Sequence, residues 1–159
     1  MSTAIFISGH TRTFALPQVY ASQRWHVFRQ CPDPHFFCSV VDDAQAPALD
    51  QLVRDYGQER VFIEKIPAQP DCAAEIAAAL GEPPEALGVR TRHAPYALAP
   101  HASPQTVLRS LWHQRRTWDL FVEEFSGGVD FNVVVRHRPD LFFHRLEWPR
   151  AIGYNDVRS

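Results

Sequence analysis

Two arginines, a histidine and an aspartate stand together in Arg136-His137-Arg138-Pro139-Asp140, directly behind the run Phe131-Asn132-Val133-Val134-Val135. In an extended chain Arg136 and Arg138 share one face and His137 takes the other. Pro139 ends any strand ladder and biases the residue before it toward extended geometry, which leaves Asp140 at the strand's mouth. Two guanidiniums drawn out of water need carboxylates or phosphate oxygens as partners. A carboxylate beside them suits a hard divalent cation that also takes phosphate oxygens. The competing reading is an Arg–Asp ion-pair network that only staples the strand end.

A second group is Ser8-Gly9-His10-Thr11-Arg12. Gly9 lets the backbone turn tightly and approach a ligand. The Ser8 and Thr11 hydroxyls and the Arg12 fork suit phosphate. An ordinary polar turn between a strand and a helix has the same composition. There is no Gly-Lys-Ser/Thr step, and only one of the three glycines of a dinucleotide fingerprint is present. Asp42 and Asp43 close an apolar run and suit a nucleoside, a metal or the start of a turn. The histidines form no His-x-x-x-His or His-Glu pair. Cys31, Cys38 and Cys72 are spaced for neither zinc nor a disulfide framework.

Strands and helices must position these residues. The apolar run 4–9 predicts a first buried strand. Pro17 opens a helix to about Cys31. Residues 35–41 predict the second strand, 47–57 an amphipathic helix closed by Gly57, and 60–66 the third strand. An alanine-rich helix is expected over 71–81. Residues 82–104, with Pro83, Pro84, Pro95, Pro100 and Pro104, read as a long irregular connection, of a kind that is either functional or mobile. A long helix then runs from Pro104 to about Ser126, before the last strand over 130–137. Strands alternating with helices imply an α/β fold, a mostly parallel sheet covered on both faces. Ligands of such sheets sit beyond the carboxyl ends of the strands. That places Ser8, Gly9, Thr11, Arg12, Asp42, Arg136, Arg138 and Asp140 on one edge.

The 159 residues suit a single domain with one core. A formal charge of −2, with no basic run, speaks against a nucleic-acid partner. No apolar run approaches the roughly 20 residues of a membrane span, and the N-terminus lacks the basic region of a signal peptide. The cysteine usage fits a reducing cytoplasm. The chain stops at "AIGYNDVRS", soon after its most chemical stretch, which suggests the N-terminal portion of a longer enzyme or a truncation.

Three segments together resemble a family. "AIFISGHTRTF", "FFCSVVDD" and "LRSLWHQRRTWDLFVEEFSGGVDFNVVVRHRPDLFF" look like the opening strand, second strand and helix–strand–Arg-x-Arg-Pro-Asp block of bacterial and viral glycosyltransferases of the GT-A type. The resemblance implies a Rossmann-like three-layer sandwich that binds a nucleotide-sugar donor and passes the sugar to a glycan, lipid or protein acceptor. It implies Ser8, Gly9, Thr11 and Arg12 near the nucleotide, Arg136 and Arg138 near the diphosphate, and Asp140 on a divalent metal, Mn²⁺ or Mg²⁺. The motif holds one aspartate where an Asp-x-Asp step has two, residues 67–104 match nothing in the family, and no catalytic base is identified. Two other readings are a non-catalytic nucleotide-binding remnant and a histidine-phosphatase-like hydrolase working through His137.

Overall fold

A computed structural model describes residues 2–42, 49–67, 104–125 and 130–139, with isolated positions between 74 and 81. Four strands, β1 (Ser2–Gly9), β2 (Pro34–Val41), β3 (Val61–Ile66) and β4 (Phe131–His137), form one sheet. All pairings are parallel and the spatial order is β3-β2-β1-β4. Helices α1 (Pro17–His26), α2 (Leu49–Tyr56) and α3 (Pro104–Glu124) accompany them among the described residues. The expected α/β class and parallel sheet are therefore present. Of the helix expected over 71–81, Ala74, Ala77 and Ala78 are described and helical, and Gly81 follows with φ +68°; the connection over 82–104 lies, up to Pro104, outside the described residues.

The two inner strands are buried along nearly their whole length, because helices cover both faces. On one face Ile5, Ile7, Phe36, Cys38 and Val40 pack with Tyr20 of α1 and with Leu49 and Leu52 of α2. On the other, Ala4 and Phe37 pack with Phe121 of α3, and Phe6, Phe62, Phe125 and Phe131 crowd around them. Phe37 is the hub of this second core, stacked on Phe62 at 5.1 Å and edge-on to Phe121 at 5.0 Å.

The first helix ends earlier than its apolar pattern suggests. It stops at His26, and a 3-10 turn over Phe28–Gln30 follows. The tighter turn drives Phe28 under the sheet, against Phe36 at 5.1 Å and His137 at 5.2 Å.

Strand β4 carries an irregularity that sets its faces. Ser2 pairs with Phe131 but Thr3 pairs with Val133, so Asn132 is an extra residue. Phe131 consequently joins the α3 core, whereas Val135 and His137 point to the α1 side. Arg136 lies in register with Phe6 and shares the α3 face.

Candidate functional site at the carboxyl edge of the sheet

The chain leaves β1 toward β2 on one side and arrives at β4 on the other. The order of strands thus reverses between β1 and β4, the position at which open α/β sheets take ligands in a crevice beyond the carboxyl ends of the strands. One wall is the β1 loop. Gly9 has φ +97°, and nothing lies within 4 Å of where its Cβ would be. Glycine is needed there for the backbone alone. His10 is exposed, while Thr11 is fully buried and its carbonyl accepts the Phe14 amide at 2.7 Å, which starts the 3-10 turn Arg12–Ala15. The other wall is the end of β4. There Arg136 and Arg138 are exposed and His137 is 4% exposed.

The two arginines and the histidine do alternate as the sequence suggests. The cost of burying the guanidiniums does not arise, however, because both are exposed. No carboxylate among the described residues pairs with Arg136. Asp140 and the Arg12 side chain lie outside the described residues. Asp42 is exposed beyond β2, with its amide donating to the Ile66 carbonyl at 2.7 Å. Among the described residues, no three His, Cys, Asp or Glu side chains gather as a metal site.

His137 is a positioning group. Pro139 O can only accept, so the Gln23 carboxamide nitrogen must face it, at 2.8 Å. The Gln23 oxygen then faces His137 Nε2, also at 2.8 Å, and the imidazole must donate from that nitrogen. Gln23 itself is fully buried on α1. One amide therefore holds the residues on both sides of Arg138. An imidazole so enclosed is poorly placed to attack a phosphorus atom.

Sequence reasoning missed a polar cluster on the α3 side of the same edge. Phe6, Phe37 and Phe62 form one row across β1, β2 and β3. Two residues further along, on the same face, the row is Ser8, Ser39 and Glu64. Ser39 Oγ donates to Glu64 Oε2 at 3.2 Å, and Arg116 of α3 donates to Glu64 Oε1 through Nε at 3.1 Å and through Nη2. One turn earlier on α3 sits His113, 5% exposed, with a buried Nδ1 that has no hydrogen-bond partner among the described residues. Burial pushes its pKa down to about 4, nearby His10 and Arg109 push the same way, and Glu64 opposes them. The signal for this cluster was Ser39 and Glu64 interrupting otherwise apolar strands at one register.

The edge thus combines a glycine-permitted loop, exposed arginines at the adjacent strand end, and a neutral buried imidazole beside a clamped carboxylate. Among the described residues of this edge, Arg116, Arg136 and Arg138 outnumber the carboxylates Asp42 and Glu64, which suits an anionic ligand. No family model, curated protein or solved structure matches the chain. No helix among the described residues is long and apolar enough to cross a membrane.

Proposed function

We propose that this chain is the donor-binding domain of a Rossmann-like, GT-A-type glycosyltransferase. It takes a nucleoside-diphosphate sugar and passes the sugar to a glycan, lipid or protein acceptor. The observation that carries the reading is the reversal of strand order between β1 and β4, with Gly9–Thr11 on one side of the crevice and Arg136 and Arg138 on the other. A diphosphate lying across that crevice meets backbone amides from the β1 loop and guanidiniums from β4. The arginines offset the negative charge that grows on the nucleoside diphosphate as it leaves. Gln23 keeps the β4 end in place, so the charges need not reorganise during the reaction. A divalent cation, Mn²⁺ or Mg²⁺, belongs to this reading as a partner of Asp140 and would supply Lewis-acid assistance to the same leaving group.

Calorimetric titration with UDP, GDP and CDP, with and without Mn²⁺, tests the proposal. Wild type should bind one nucleotide selectively. Arg136→Ala should weaken that binding by about 10- to 100-fold, the worth of one hydrogen bond to a charged group. Asp140→Ala should remove whatever part of the affinity depends on Mn²⁺. Absence of binding by all three nucleotides would overturn the reading. Binding without any turnover of donor sugar would leave the nucleotide site and favour a non-catalytic remnant.

A further inference from the structure

A cleft of about 390 Å³ lies between α1 and α2, on the face of the sheet opposite α3. Phe14, Pro17, Tyr20 and Ala21 form an apolar wall, and Arg24 and Arg54 stand at the rim. Both oxygens of its carboxylate are already engaged. Asp55 Oδ2 accepts from Tyr20 Oη at 2.8 Å, and Asp55 Oδ1 accepts from Gln51 Nε2 at 3.0 Å. Arg24 Nε sits 3.1 Å from Oδ2 as an ion pair, yet it is not aligned for a hydrogen bond and remains a buried donor without a partner. Arg54 gives one amino group to Gln51 Oε1 at 2.9 Å. The Arg24 guanidinium also faces the Tyr56 hydroxyl; beyond Gln51, Arg54 has no hydrogen-bond partner among the described residues.

The balance of two guanidiniums against one engaged carboxylate leaves one net positive charge above an apolar wall. A cation would meet two guanidiniums that repel it against a single carboxylate. A polyanion such as a nucleotide would bring more charge than the rim can match. At about 30 Å³ per non-hydrogen atom, the volume corresponds to roughly a dozen atoms, toward the small end of ligand clefts.

We propose that the cleft between α1 and α2 is a second binding site, for a small amphiphile with an apolar body and a single anionic head, carboxylate or phosphate, held by Arg24 and Arg54. The apolar body lies along Phe14, Tyr20 and Ala21, and the head bridges the two guanidiniums. The site is separate from the crevice at the carboxyl edge and does not depend on the nucleotide reading.

Amide ¹H–¹⁵N NMR of the full chain, titrated with octanoate, octyl phosphate and octan-1-ol below their aggregation limits, tests this. The anions should shift amides within 14–24 and 51–55 in a saturable way, and octan-1-ol should bind about tenfold more weakly or worse. The anion that binds more tightly identifies the head group. Ala21→Leu, a helix-compatible change at an exposed position of α1, should fill the cleft and abolish the shifts. Arg54→Gln should weaken the anions by up to about tenfold and leave octan-1-ol unchanged. The proposal is overturned by no localised shift with either anion, by octan-1-ol binding as tightly as octanoate, or by undiminished binding in Ala21→Leu.

Discussion

Acidification should destabilise this fold through His113 at a pH where its carboxylates are still charged. The imidazole is 95% removed from solvent, and its pKa falls to about 4, first from burial and then from His10 and Arg109. In the unfolded chain it returns to about 6.5. Between these values the unfolded state binds more protons than the folded one, so stability must fall as pH drops through the window. Above about 6.5 the group contributes nothing; below about 4 the full penalty applies. At 1.36 kcal/mol per pH unit the full penalty is on the order of 3 kcal/mol, and at pH 5 it is about 2 kcal/mol. Urea unfolding of wild type and His113→Gln at about pH 7.5 and about pH 5 reads it directly. The variant carries the other seven of the chain's eight histidines, so their contributions cancel in the comparison. Wild type should lose about 2 kcal/mol more than the variant between the two conditions. Equal losses would show that His113 stays neutral in both states or is already solvated, and the account of its environment would fail.

Other outcomes follow from single contacts. Gln23→Leu removes both bonds at the end of β4 and leaves His137 Nε2 and Pro139 O buried without them; the expected cost is about 2–4 kcal/mol by urea unfolding. Gly9→Ala should cost about 1–2 kcal/mol, from backbone strain alone, since no atom lies near the added Cβ; a larger loss in a thermal melt would mean the loop is tighter than described. Burial pushes the Cys31 thiol up to about 11 and raises the Cys38 thiol further still. Neither should label with a thiol reagent at pH about 8 until the protein is denatured, and rapid native labelling of either, mapped by mass spectrometry, would contradict their placement.

The strands were legible because parallel strands covered on both faces read as nearly unbroken apolar runs, as in "AIFIS" and "HFFCSVV". Helix α1 was overextended for a physical reason: Val27 and Phe28 continue the helical pattern, but the backbone tightens so that Phe28 can reach Phe36 and His137. The alternation of Arg136, His137 and Arg138 was also legible, since it depends only on the period of an extended chain. What buries His137 was not. Its partner Gln23 is 114 residues away, and no local spacing announces such a pair. The Asn132 irregularity was equally hidden, because a run of valines satisfies either register. Asp140, to which the sequence assigns the metal, lies outside the described residues, so its role rests on the proposal alone.

The two faces of the carboxyl edge are built differently, and the difference bears on function. On the α1 side, Gln23 binds His137 and Pro139 in a buried setting. On the α3 side, Arg116 and Ser39 hold the Glu64 carboxylate, while the nearby His113 keeps a buried nitrogen with no partner among the described residues. An unmade hydrogen bond in a buried group costs about 1–3 kcal/mol. The fold therefore fixes the backbone that carries Arg138 from one side and leaves an unsatisfied polar group on the other. Arg136, which shares the α3 face with Ser8, Ser39 and Glu64, is exposed on the side where that group lies. A ligand drawn to that edge by its charge would meet Arg136 on the α3 side and Arg138 on a backbone that Gln23 holds from behind.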